Sequence, residues 1–204
     1  MAKKPDWLKP HGTPWTRGPG RLVYDNPWLA VHEFDAIAPT GAPALYGLVH
    51  HKNFGIAVVP LHEDGSITLV GQNRFPLGYS WEVPEGGGKL DVDPLESAKR
   101  ELKEETGLVA ADWRRILTLQ LSNSVTDERA FAFLAMDFTQ SQTDPDDTED
   151  IAVARVPFTE ALQAAVDGYI EDALTVASLL RLHHMAVQGE LPSGLARLML
   201  EGGA

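Results

Sequence analysis

The stretch EGGGKLDVDPLESAKRELKEETGL, residues 85–108, decides how the rest of the chain is read. Asp93 stands where an N-cap belongs, with Pro94 at N1 and Glu96 at N3, which together form a helix start signal. Gly107 supplies a left-handed C-cap, so the spacing predicts a helix over 93–106. Within it Glu101, Glu104 and Glu105 stand at i, i+3 and i+4 and share one face. Three carboxylates on one face repel each other unless a cation lies between them. An all-oxygen ligand set suits Mg2+ or Mn2+, whose open positions take phosphate oxygens. Arg100 is placed to orient these carboxylates through charge-assisted hydrogen bonds. Alone, the hexamer ELKEET reads as a solvated helix face; the glycine-rich loop upstream of it, following a strand, turns the reading toward chemistry.

Outward from this helix, short runs of strand character precede it: Arg21–Tyr24, Trp28–Ile37, Ala44–His51, Phe54–Leu61 and Ser66–Arg74. Turn chemistry at Asn26-Pro27, Pro39-Thr40-Gly41 and Glu63-Asp64-Gly65 separates them. Strands follow the helix at about 113–121 and 128–138. An acidic loop over 141–150 then leads to a strand at 151–156. Helices are expected at Thr159–Asp167, stopped by Gly168, and at about Asp172–Val187. Residues 1–20, rich in Pro, Gly and Trp, read as an extended arm. Strands on both sides of one central helix, with helices at the end, indicate an α/β or α+β layered domain.

The chain has 204 residues, of which 44% are hydrophobic, enough for a real core. Seventeen basic and 29 acidic residues give 17 − 29 = −12. That balance disfavours nucleic-acid or anionic-membrane binding, but a small phosphorylated substrate is accommodated once a divalent metal supplies local positive charge. With no cysteine, disulfides, thiolate metal sites and cysteine nucleophiles are excluded. MAKKPDWLKP lacks the apolar run of a secretory signal, and no stretch approaches the ~20 apolar residues of a membrane span; a cytoplasmic location is the expectation. His50-His51 and His183-His184 are poor chelates, because neighbours diverge on a strand or helix.

Residues 86–108 resemble the box of the Nudix hydrolases, G-x5-E-x7-R-E-U-x-E-E-x-G-U. Gly86, Arg100, Glu101, Leu102, Glu104, Glu105, Gly107 and Leu108 fall in register, and Val92 stands where the first glutamate belongs. The resemblance extends from about Val23 to Leu182 and is to the ADP-ribose and nucleoside-diphosphate-sugar pyrophosphatase branch. That branch's pattern of strand, Gln-x-Arg, then Glu-x-Pro-x-Gly is present as Gln72-Asn73-Arg74 and Glu82-Val83-Pro84-Glu85-Gly86. The proline that the branch associates with ADP-ribose preference is replaced by Asn123, which leaves a nucleotide sugar the more plausible substrate.

The resemblance implies an α/β/α sandwich with a mixed central sheet, plus an N-terminal antiparallel strand arm. It implies domains of 1–52, exchanged in a homodimer, and 53–204, carrying the box. The implied reaction is divalent-metal-dependent hydrolysis of a nucleoside diphosphate sugar or ADP-ribose to a nucleoside monophosphate and a sugar phosphate. Mg2+, or Mn2+ in its place, would be held by Glu101, Glu104, Glu105, the backbone carbonyl of Glu85, and Glu149 from the acidic loop. Glu149 is the preferred general base and Asp147 the second candidate, with Glu104 and Arg100 completing the catalytic set. Arg74 is assigned to phosphate, Glu82 to support of the site, and Asn123, Ser124 and Trp28 to substrate contacts. The rival readings are a non-catalytic sensor of such a nucleotide, which Val92 would favour, and an RNA 5′-end pyrophosphohydrolase, which the acidic charge disfavours.

Overall fold

The computed structural model describes residues 4–144 and 148–202. By internal contacts the chain divides into Met1–Lys52 with Ser122–Asp127, and Asn53–Leu121 with Glu128–Ala204.

The first unit is a three-stranded antiparallel sheet, β1 (Thr16–Asp25), β2 (Leu29–Ile37) and β3 (Pro43–His51), in that order. Asn26 makes the first turn, its Oδ1 accepting the backbone N–H groups of Trp28 and Leu29 at 2.9 and 2.8 Å, as an Asx turn does. Segment 122–127 is fastened to β3. The Val49 N–H donates to the Val125 carbonyl at 2.8 Å, and the Asp127 carboxylate accepts from the His51 N–H and meets His50 Nδ1. Every residue of β1 is exposed.

The second unit holds β4 (Asn53–Pro60), β5 (Ser66–Arg74), β6 (Gly78–Glu82), β7 (Glu85–Lys89), α1 (Pro94–Thr106), β8 (Leu108–Gln120), β9 (Arg129–Gln140) and β10 (Ala152–Pro157). Three helices follow: α2 (Phe158–Val166), α3 (Ala173–Val187) and α4 (Ser193–Glu201). The central sheet has the order β7-β4-β9-β8 and is mixed, because β4 and β9 run parallel while the other pairs are antiparallel. A second sheet, β10-β5-β6, is antiparallel.

β4 shows why the unit is layered. Ile56 and Val58 pack with Ala98 and Leu102 of α1, whereas Ala57 and Val59 pack with residues of α2, α3 and α4. A strand buried on both faces reads as a continuous apolar run, as Ile56–Val59 does. Each fully buried aliphatic side chain there contributes about 1.5–3 kcal/mol. The result is the expected α/β/α arrangement with a mixed central sheet.

Three features differ from the sequence reading. Residues 85–89 are a strand where a glycine-rich loop is expected, because glycines carry no alternation to read while their backbone still pairs, Gly86 with Ile56 and Gly88 with Phe54. β8 begins at Leu108, directly after the helix cap, ahead of the expected start near 113; its alanine-rich opening has weak strand propensity. α4 is an additional helix beyond Pro192, with Ala196 and Met199 buried. Among the described residues, no helix is long and apolar enough to cross a membrane.

Candidate active site

Helix α1 forms where the caps indicate. The Asp93 carboxylate accepts from the Leu95 N–H at 2.9 Å, and Gly107, at φ 70°, donates to the Lys103 carbonyl. One stripe of the helix, Ser97, Glu101 and Glu105, is buried and lies along β7. A Cβ on Gly88 would come within 3.0 Å of Ser97 Oγ, and a Cβ on Gly86 within 2.5–2.6 Å of the Glu101 carboxyl group. The backbone N–H of Glu85 donates to Glu105 Oε2 at 3.1 Å. The glycines of the box are therefore space for carboxylates: a side chain at 86 would expel Glu101 from its seat.

The acidic loop is tied beside the same helix. After β9, the Ser141 N–H donates to the Gly107 carbonyl at 2.7 Å and the Asp144 N–H to the Glu104 carbonyl at 3.0 Å. Beyond the loop, β10 pairs with β5, Ala152 opposite Gly71. Glu149, on this tethered segment, stands close enough for its charge to act on both Glu101 and Glu105. Asp147, the second candidate for the base, lies outside the described residues.

Burial pushes Glu101 up to about 7, against the opposing pull of Arg100 and with Glu104 and Glu149 adding to the rise. Burial, then the charges of Glu101 and Glu149, push Glu105 up to about 8. Such crowding of carboxylates marks functional sites more often than surfaces. Arg100 shares itself between two of them. Its Nη1 donates to Glu104 Oε2 at 2.7 Å, and its Nη2 to Glu101 Oε1 at 2.5 Å and the Gly87 carbonyl at 3.0 Å.

A second charged group lies at the β5–β6 edge. Arg74 Nη2 donates to Glu82 Oε2 at 2.6 Å and Glu85 Oε1 at 2.9 Å, and its Nε to Glu82 Oε2 at 3.0 Å. Glu82 is only 3% exposed. Burial, with Asp172 and Glu82 nearby, holds the Glu85 carboxyl well above its ordinary range. Sequence reasoning passed over the Glu85 side chain and Asp172. Asp172 caps α3 by accepting from the Thr175 N–H at 2.6 Å, and Thr175 Oγ1 accepts from the Val83 N–H at 3.0 Å, fixing the turn into β7. The N-cap pattern was legible, but its proximity to Glu85 depends on tertiary packing.

The donor set fits a divalent cation. It consists of oxygen alone, and Glu105 Oε1 and Glu85 Oε2 are buried without a hydrogen-bond partner, each a cost of about 1–3 kcal/mol unless something is bound. Among the described residues, no three such groups converge on one point as they stand, since Arg100 occupies Glu101 and Glu104. Val92, at the position of the first box glutamate, is exposed, and the carboxylate of the neighbouring Asp93 is committed to its capping bond.

The remaining expected contacts lie in the first unit. Asn123 and Ser124 line a cavity of about 330 Å3 with Trp15, Phe34 and Tyr46, and the Tyr46 hydroxyl donates to the Ser124 carbonyl. Trp28 is exposed.

Comparison with known proteins agrees with this geometry. Residues 51–176 match the model of the NUDIX domain. The chain is 31% identical over 152 residues to the ADP-ribose pyrophosphatase of Mycobacterium tuberculosis, covering 71% of this chain and 72% of that one. It is 29% identical over 160 residues to the ADP-ribose pyrophosphatase of Bacillus subtilis, covering 77% and 86%. It is likewise 29% identical over 167 residues to the GDP-mannose pyrophosphatase of Yersinia enterocolitica, covering 74% and 86%. In fold it matches the crystal structure of an ADP compounds hydrolase with a TM-score of 0.79 at 20% identity, over 90% of this chain and all of that one. With a matched domain spanning more than half its length and the box carboxylates gathered between α1 and β7, this chain belongs to the NUDIX domain family and is one of its hydrolases.

Proposed function

We propose that the protein hydrolyses the diphosphate bond of a nucleoside diphosphate sugar or of ADP-ribose, giving a nucleoside monophosphate and a sugar phosphate. The observation that carries this reading is the pair Glu101 and Glu105, two buried carboxyl groups on one face of α1, Glu101 seated against Gly86, with the charge of Glu149 acting on both. The relatives named for ADP-ribose and GDP-mannose cleavage support the substrate class.

Glu101, Glu104, Glu105, Glu149 and the carbonyl of Glu85 would hold Mg2+, with Mn2+ as a substitute. When bound, the cation neutralises diphosphate charge and acidifies a water. The chain's own groups do the rest. Glu149 orients the attacking water and accepts its proton, a role suited to a carboxylate on a loop anchored at both ends. Arg100, paired with Glu101 and Glu104, orients their carboxyl groups. Arg74 Nη1 takes part in none of the bonds to Glu82 and Glu85, which leaves a donor for a phosphate oxygen. We further propose that the protein is a homodimer formed through the first unit.

The test is release of phosphatase-sensitive monoester from ADP-ribose, GDP-mannose, ADP-glucose and UDP-glucose, with Mg2+ and then with EDTA. Turnover lost in EDTA is the expected result. No turnover, together with tight binding of one compound, would overturn the catalytic reading in favour of a sensor.

A further inference from the structure

We infer that Gln72 is a substrate-contacting residue whose side-chain amide donates to a non-bridging oxygen of the diphosphate, beside Arg74. The inference rests on the pyrophosphatase reading above and deepens it by adding a residue that the box does not contain.

Gln72 lies two residues before the end of β5, opposite Ser80 of β6, and is 6% exposed. Its Nε2 is buried and, among the described residues, meets no acceptor. Buried amides are nearly always satisfied, so an orphaned donor asks what it is kept for. Strand alternation gives part of the answer. Residues i and i+2 share a face, so Gln72 stands on the face that carries Arg74, and Arg74 in turn reaches Glu82 and Glu85 at the mouth of the box. Charge gives the rest. Glu82 and Glu85 face the Arg74 guanidinium, so an anionic ligand entering there gains from every further donor it meets. A neutral N–H2 supplies donors without adding a second buried cation. Thr175 provides the contrast: it too is fully buried, but its hydroxyl is already used by the Val83 N–H, as a purely structural polar group should be.

A ligand-directed donor and a structural one respond oppositely to removal. Gln72→Met keeps the length and shape of the side chain but removes the amide. A structural role predicts a lower melting temperature and an unchanged KM. The ligand role predicts that the free protein melts at or above the wild-type temperature, because an unmet buried group has gone. It also predicts that KM rises about tenfold while kcat stays within about threefold, the signature of lost uniform binding. Gln72→Glu, which sets a carboxylate against the diphosphate, should weaken binding further; it provides the reading if the methionine variant does not fold. The substrate is whichever compound of the panel wild-type protein cleaves fastest, and the α,β-methylene analogue of ADP-ribose is the probe for direct binding by calorimetry. An unchanged KM and analogue affinity in either folded variant overturns the inference. Wild-type protein that cleaves nothing overturns the pyrophosphatase reading alone if it still binds the analogue and Gln72→Met loses about tenfold; wild-type protein that neither cleaves any compound of the panel nor binds the analogue overturns both.

Discussion

Two sheets of the same chain are built to opposite rules. No residue of β4 and only one of β5 is exposed, and the acids Glu82, Glu101 and Glu105 on neighbouring elements of the second unit are buried too. β1 of the first unit is exposed along all ten residues, with Leu22, Val23 and Tyr24 each more than half exposed. The first kind of surface stores electrostatic tension inside a rigid frame. The second has surplus apolar area and an open strand edge, which natural proteins normally cover. On the reading proposed above, chemistry and association belong to different parts of the chain, and substitutions should separate them.

The largest effect should come from the acids. Glu105→Gln is expected to lower kcat at least about a thousandfold while the melting temperature stays level or rises, since a neutral amide replaces a carboxyl group that burial keeps from ionising. Unchanged turnover would remove α1 from the chemistry. Gly86→Ala should follow. Its methyl group overlaps the Glu101 carboxyl, and a displacement of that order costs about a hundredfold in kcat/KM in a protein that still folds. A variant with full activity would show that the Glu101 seat is not needed. Deletion of residues 1–20, which removes half of β1 and the edge-on contact of Trp15 with Tyr46, should shift light scattering from dimer to monomer. A truncated protein that remains fully dimeric would break the division of labour proposed here. The smallest effect is in stability. In EDTA, Glu101 and Glu105 hold protons in the folded state that the unfolded chain has released above pH 4.5. Stability of the metal-free protein should therefore fall as pH rises from about 4.5 to about 8 and level off above that, and Mg2+ should flatten the slope. A flat profile in EDTA, read by chemical denaturation, would contradict the raised carboxyl values.

How much of this could be read from the residues depended on whether the signal was local. The cap at Asp93, the stop at Gly107 and the i, i+3, i+4 spacing of Glu101, Glu104 and Glu105 are properties of one helix, so they were legible. The strand at 85–89 was not, because pairing of a glycine run depends on β4 and on the helix lying over it. Glu149 was reached through the family pattern, and the contacts of Ser141 and Asp144 with the end of α1 give it a physical basis. The Glu85 carboxyl, Asp172 and the unmet amide of Gln72 needed the assembled fold, since each is defined by what lies across from it.

The glycine at 86 has a consequence for how such a sequence can change. Position 86 and position 101 occupy one volume, so neither is free to vary by itself. Replacing Gly86 with alanine closes the seat, but an aspartate at 101 withdraws its carboxyl by one methylene and reopens room for a methyl group. The pair Gly86→Ala with Glu101→Asp should recover part of the activity that either single change loses, a non-additivity expected of groups in contact. A lineage could cross between the two states only through a damaged intermediate, so the hydrogen-sized side chain at 86 acts as a ratchet on its evolution.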